Sequence, residues 1–211
     1  MIGCPIMMFR RRFVPLLLSL GFLTLHVCAA TSGAQFIPAE KIQISGIANA
    51  GKVDSFLYRG GQPNEEGIQQ LKKLGIDTVV DLRGERRSVM EKERKHAASL
   101  GIHVVNIAGN GWSPPGDEQV AQFFSMVQEK PRQRIFVHCW FGSDRTGVFI
   151  AIYRIAFDGW TPEQALAEMQ DFHFKGFWHP AMKAYVRDFP ARLANSPALA
   201  PFRHAGSAAT K

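Results

Sequence analysis

The stretch that most restricts the fold is Ile135-Phe136-Val137-His138-Cys139-Trp140-Phe141-Gly142-Ser143-Asp144-Arg145-Thr146-Gly147, continued by Val148-Phe149-Ile150-Ala151-Ile152. A short apolar run reads as a buried strand. A turn with one glycine follows, and then a helix apolar nearly all round, over 146–157, which belongs at the centre of a domain. A lone cysteine and an arginine six positions later sit where the strand hands over to the helix.

The rest of the chain alternates in the same way. Residues 55–59 read as a strand ended by Gly60-Gly61, and Asn64 as the cap of a helix closed by Gly75. Residues 76–82 form a second apolar strand, 85–100 a charged helix, and 102–107 a third strand. Gly and Pro mark 108–116, "AGNGWSPPG", as a loop before a helix over 117–130. Thr161-Pro162-Glu163-Gln164 has the form of a capping box opening a further helix, and another spans 180–188. This order predicts an α/β three-layer sandwich with a mainly parallel central sheet flanked by helices. Ligands in such sheets sit at the carboxyl ends of the strands, where Cys139 lies.

A loop between strand and helix exposes backbone N–H groups that, with the helix dipole, favour an anion. Gly142 lets the backbone curl so that those groups point inward. The planar fork of Arg145 holds two oxygens of a phosphate. The same positive field favours a thiolate over a thiol, which makes Cys139 a candidate nucleophile beneath a bound phosphorus atom. The bland alternative for Cys139 is a small buried core residue.

His138-Cys139, five residues, then Arg145-Thr146-Gly147 resembles the signature of cysteine-dependent protein tyrosine phosphatases. Leu57-Tyr58-Arg59-Gly60-Gly61-Gln62-Pro63 and Leu74-Gly75-Ile76-Asp77-Thr78-Val79-Val80-Asp81-Leu82-Arg83 are similar to the start of compact dual-specificity phosphatase domains, of the bacterial and the atypical plant and fungal kinds. The resemblance implies that Cys139 is the nucleophile, that Arg145 binds phosphate, and that Trp140, Phe141, Gly142, Ser143, Asp144, Arg145 and Thr146 line the anion. It also implies a Thr146 hydroxyl bonded to the cysteine sulfur, a supporting His138, and no metal or other cofactor. Arg59 and Arg83 either face the pocket or serve structure. The general acid is open: the loop 106–117, where relatives carry it, has no carboxylate in its middle. Asp144 inside the signature loop ranks first. Asp117, at the loop's end, suits a helix first turn equally well. Trp112, Trp140 and Phe141 are candidate pocket walls, and His103, His173 and His179 read as incidental.

The first thirty residues differ from the rest. Arg10-Arg11-Arg12, the apolar run 13–27 and the small residues after it have the form of a secretory signal. The run is short of the ~20 residues a bilayer span needs, so an uncleaved anchor is the lesser reading. Cleavage removes three arginines and no acid from a net charge of +7, leaving +4. That mild basic bias suits anionic substrates and argues against nucleic acid. Of the three cysteines, Cys4 and Cys28 lie in the signal, so the exported chain has no internal disulfide. The domain plan is therefore a signal over 1–30, a lead-in over 31–50, a catalytic domain over 51–192 and a loose tail over 193–211. The expected protein is an exported, periplasmic or secreted bacterial phosphatase for phosphoprotein or a small phosphorylated substrate. It meets a membrane only if the signal stays. Ser143 stands in the loop where a lysine would better serve highly anionic inositol phosphates, the second substrate reading. A phosphate-binding pseudoenzyme is the reading from another class. Rhodanese-like and arsenate-reducing proteins fit less well, lacking respectively this frame and these lone-cysteine counts.

Overall fold

The computed structural model describes residues 1, 36–128 and 133–203. The expected signal segment lies outside them. No helix of the described residues is long and apolar enough to cross a membrane.

Six strands form one sheet: β1 (Glu40–Lys41), β2 (Gly51–Lys52), β3 (Leu57–Gly60), β4 (Thr78–Arg83), β5 (His103–Gly109) and β6 (Ile135–His138), in the order β1-β2-β3-β6-β4-β5. The pairs β3·β6, β6·β4 and β4·β5 are parallel, and β1 and β2 join as an antiparallel edge. Six helices flank it: α1 (Glu65–Lys73), α2 (Arg87–Ser99), α3 (Asp117–Gln128), α4 (Asp144–Phe157), α5 (Pro162–Asp171) and α6 (Pro180–Asn195). Successive side chains of a strand point to opposite faces. Ile135 and Val137 of β6, with Val80 and Leu82 of β4, thus enter the core built with α3 to α6. Phe136 and Val79 enter the smaller core under α1 and α2. The expectation of three layers around a mainly parallel sheet is met, with the antiparallel pairs confined to the β1–β2–β3 edge.

The local signals act as read at the caps. Asn64 Oδ1 accepts from Gly67 N at 2.9 Å, and Thr161 closes a full capping box with Gln164. The boundaries shift in instructive places. The lead-in is not loose from residue 36 onward: Ile42 packs against the smaller core, while Ile44, Ile47 and Ala50 are buried in it. The final helix does not stop at 188 but runs through Pro190 to Asn195. Proline suits helical φ and forfeits one hydrogen bond, a cost that burial of Phe189 beside it offsets. In the described part of the expected tail, up to residue 203, Leu199 and Phe202 are buried around a short 3-10 turn, Ala200–Phe202.

Helix α4 is anchored by charge as well as by packing. Arg154 Nη2 reaches Glu168 Oε2 of α5 at 3.1 Å, with both side chains buried, and Val53 O at 3.2 Å. Ala39 N donates to the same Glu168 oxygen at 2.7 Å. Removing one partner of such a pair strands the other charge in the core. Arg154→Met is expected to cost about 3–5 kcal/mol of stability, read as a shift in the urea midpoint at constant slope. An unchanged midpoint would show that the pair is not what fixes α4.

Candidate active site

Because β6, β4 and β5 run parallel, their carboxyl ends open on one side. The register sets Asp81 opposite His138 and Arg83 opposite Gly109. Three connections therefore gather there: 139–143 after β6, 84–86 after β4, and 110–116 after β5.

The signature loop is held from outside by its carbonyls. His138 Nδ1 lies 3.1 Å from Cys139 O, and Gln62 N donates to Trp140 O at 3.1 Å. Asn49 Nδ2 donates to Phe141 O at 3.2 Å, and Arg59 Nη2 to Gly142 O at 2.7 Å. Four successive carbonyls are thus engaged away from the loop's interior. The loop N–H groups and the first-turn N–H groups of α4 remain for an anion. Gly142 has φ +72°, the left-handed turn that closes the ring. Cys139 is 3% exposed, at the base of this cradle.

Arg145 leaves the first turn of α4 and spans the cradle's rim. Its Nη1 donates to Gly109 O at 3.0 Å, Leu82 O at 3.3 Å and Glu85 Oε2 at 3.0 Å, and its Nη2 to Glu85 Oε1 at 2.8 Å. Glu85 was read from sequence as the first residue of a charged helix. The structure starts that helix at Arg87 and turns Glu85 toward the arginine. No spacing between residues 60 positions apart could have announced the pair. The Arg145 guanidinium is the main cause that holds the Glu85 carboxyl down at about 2. Burial opposes it, and the Gly84 N–H and the Trp140 indole add to it. Trp140 Nε1 donates to Glu85 Oε1, and Arg83 and Arg86 lie 4.9 and 5.1 Å from the centroid of its ring. Trp140 thus braces the arginine's partner.

Glu85→Gln is expected to lower kcat/KM about tenfold by loosening the arginine, measured on a phosphate monoester. The stability contribution of the pair has a defined pH window. A folded pKa of about 2 lies below the ordinary 4.5, so the contribution is complete above pH 4.5 and fades as pH falls toward 2. The stability gap between wild type and Glu85→Gln should narrow across that window and stay flat at neutral pH. A gap independent of acid would mean that the two carboxylate bonds contribute nothing.

Arg59 and Arg83 are both fully buried. Arg59 works from beneath the loop, its guanidinium 3.9 Å from the centroid of the Phe172 ring. Burial pulls it down to about 10, while Glu168 and Cys139 hold it up. Arg83 is bound by Asp81 (Nε to Oδ1, 2.8 Å; Nη2 to Oδ2, 2.9 Å) and by Glu93 Oε2 at 2.7 Å. Glu93 Oε1 in turn meets His138 Nε2 at 2.9 Å. Asp81, Glu93 and His138 are close enough to share a cation. The Arg83 guanidinium already supplies that positive charge to both carboxylates. Of the pocket and structural readings for these arginines, burial favours the structural one, since neither side chain reaches the open face.

The hydrogen bond expected from Thr146 to the cysteine sulfur is not formed: Thr146 Oγ1 is buried without a partner. Phe141 and Trp112 are 76% and 69% exposed, at the rim rather than in walls. Asp117 is paired with Arg192 of α6 at 2.8 Å. Burial raises its carboxyl, but the Ser196 and Arg192 contacts outweigh this and leave it below the ordinary range. A carboxyl held charged in an ion pair is a weak proton donor. Asp144 sits on the signature loop side, with Ser143 Oγ donating to its Oδ2 at 2.9 Å. His179, read as incidental, brings its Nε2 within 3.6 Å of Asp144 Oδ1.

Known proteins resemble this chain in sequence and in fold. The chain is 29% identical over 144 residues to the dual specificity protein phosphatase TpbA of Pseudomonas aeruginosa, a match covering 67% of the chain and 62% of that relative. It is 30% identical over 132 residues to a probable chloroplastic NAD kinase 2 of Oryza sativa, covering 61% of the chain and 13% of the kinase. The fold superposes on the crystal structure of P. aeruginosa TpbA with a TM-score of 0.62 at 24% identity, covering 83% of the chain and 98% of TpbA. On the core catalytic domain of the PP-IP phosphatase SIW14 from S. cerevisiae the TM-score is 0.59 at 18% identity, covering 76% and 99%. Residues 30–187 match the family model described as a DSP-PTPase phosphatase fused to NAD+ kinase, and to that family the chain belongs.

Proposed function

We propose that this chain hydrolyses phosphate monoesters through a phosphocysteine. The observation that carries the reading is the cradle itself: four outward-tied carbonyls, a buried Cys139 at its base and a restrained Arg145 at its rim. In the first step the Cys139 sulfur attacks phosphorus, forming the S–P bond as the P–O bond to the leaving group breaks. Arg145 and the loop amides stabilise the equatorial oxygens. Asp144 gives its proton to the leaving oxygen. In the second step the Asp144 carboxylate takes a proton from water, whose oxygen attacks phosphorus. The S–P bond breaks, releasing phosphate and the thiolate. Thr146 Oγ1, buried and unspent, is available to the sulfur as it leaves.

The substrate we favour is phosphoprotein. Of the cationic groups beside the cradle, Arg145 is tied to Glu85, Arg59 and Arg83 are buried, and Arg86 lies over the Trp140 ring, while the loop itself carries Ser143 rather than a lysine. That is little positive charge for a multiply phosphorylated inositol ring. A TpbA variant has been crystallised in complex with pTyr, which suits the same choice, whereas the SIW14 likeness favours the inositol reading. The basic, apolar and small-residue order of 1–30 supports export from a bacterial cell to the periplasm or beyond.

The test is to mix the reduced protein with a phosphate monoester in the presence of chelator, quench in acid, and find the phosphoryl group by mass on the peptide bearing Cys139. Turnover with no adduct on that peptide, under conditions where product release shows a burst, would remove the phosphocysteine from the mechanism.

A further inference from the structure

The mechanism above leaves His179 idle, yet elements from three parts of the chain converge on it. From the loop after β5, the Trp112 ring lies over the imidazole with centroids 5.0 Å apart and planes at 32°. From the α5–α6 connection, Phe174 stacks at 6.2 Å and 27°. From α4, Asp144 Oδ1 faces Nε2 at 3.6 Å. Pro180 follows immediately as the first residue of α6 and restricts the histidine backbone.

We propose that His179 is a positioning residue for Asp144, holding its carboxyl in the orientation from which a proton reaches the leaving oxygen. The proposal rests on the reading of Asp144 as the acid. Asp144 projects from a first helical turn and is 24% exposed, so alone it would rotate about its own side-chain bonds. Ser143 Oγ donates to Oδ2 at 2.9 Å and His179 Nε2 lies 3.6 Å from Oδ1, so a group stands against each carboxyl oxygen.

Two features separate this from ordinary packing. His179 Nδ1 is buried with no hydrogen-bond partner, so the ring is not held by a bond on its far side. What holds it are the two aromatic faces, and they leave Nε2 directed at Asp144. Trp112 is also 69% exposed, and an indole left in water gains little from burial. Its contact with the imidazole gives it a place. It stands on the connection that carries no carboxylate in its middle. That connection therefore reaches the reacting centre through Trp112, His179 and Asp144 in series.

The experiment compares kcat/KM for phenyl phosphate, a poor leaving group, with 4-nitrophenyl phosphate, a good one. The variants are Asp144→Asn, His179→Ala, His179→Gln, Trp112→Leu and the Asp144→Asn/His179→Ala pair. Loss of aid to the leaving group shows on phenyl phosphate. His179→Ala is expected to lose roughly tenfold there and less than about threefold on the nitrophenyl ester. The paired variant should be no worse than Asp144→Asn alone, since the histidine acts through the aspartate. His179→Gln should recover part of the loss, and Trp112→Leu should lose in the same direction. Inhibition by inorganic phosphate should be unchanged in the His179 and Trp112 variants. Equal losses on both esters, or losses that add in the pair, overturn the proposal. If His179→Ala does not fold, Trp112→Leu decides, and an unchanged ester ratio overturns it. An Asp144→Asn variant with no leaving-group dependence removes the acid assignment itself. A dependent Asp144→Asn with an independent His179→Ala removes only the role of His179. Activity that survives Cys139→Ser instead removes the phosphocysteine reading beneath both.

Discussion

Cys139→Ser should reduce phosphate monoester hydrolysis by roughly 10³-fold or more while leaving the protein folded and able to bind phosphate. The cradle does not depend on sulfur. Its carbonyls are tied by Gln62, Asn49, Arg59 and His138, and its rim by Arg145 and Glu85. Serine nearly matches cysteine in volume, so the 3% exposed site neither collapses nor overfills. What disappears is the sulfur nucleophile of the proposed mechanism. Steady-state rates on 4-nitrophenyl phosphate and calorimetric titration with inorganic phosphate separate the two effects. Loss of both activity and phosphate binding would mean that the sulfur builds the loop. Retention of both would mean that the chemistry lies elsewhere.

Gly142→Ala should be severely damaging to both fold and site. A Cβ at that position would lie 2.4 Å from Gly60 C, 2.6 Å from Gly60 O and 2.6 Å from Gly61 N. All three are backbone atoms of the β3 end, which is paired to β6 through Gly60 and His138. No rotamer can relieve that overlap. Residue 142 also has φ +72°, where a side chain costs roughly 1–2 kcal/mol on its own. With overpacking of about 1–3 kcal/mol, the expected destabilisation is about 2–5 kcal/mol. Phosphate binding should fall with it, because relief requires the loop to swing off β3 and give up the Arg59–Gly142 bond. Chemical denaturation and phosphate titration test both parts. A variant with wild-type stability and affinity would show that the loop need not touch β3.

The two experiments probe one design from opposite sides. On the proposed mechanism the cysteine supplies reactivity to a cradle that exists without it, and the glycine supplies the cradle without taking part in the chemistry. Glu85 belongs with the glycine: it fixes where Arg145 can be. On the same mechanism Asp144 belongs with the cysteine, and the proposed role of His179 connects the two groups.

The sequence by itself determined the local parts. Asn64 and Thr161 cap their helices because a side-chain oxygen satisfies an N–H close in the chain. The run 135–152 makes a buried strand, loop and helix because its apolar positions leave no solvent face. Cys139, Gly142 and Arg145 sit within seven residues, and one loop sets their mutual placement, so the candidate cradle and candidate nucleophile were legible before any fold. Composition misled at the ends, where small residues around Leu199 and Phe202 hid two buried anchors. Only the tertiary structure decided which distant groups restrain that loop. Parallel strands bring Glu85 and Trp112 to one side at their carboxyl ends, and Asn49 from the β1–β2 connection and His179 from the α5–α6 connection join them there. An ion pair or a stacked ring is set by distances of a few ångström in space. Chain spacing carries no record of them when 60 residues separate Glu85 from Arg145.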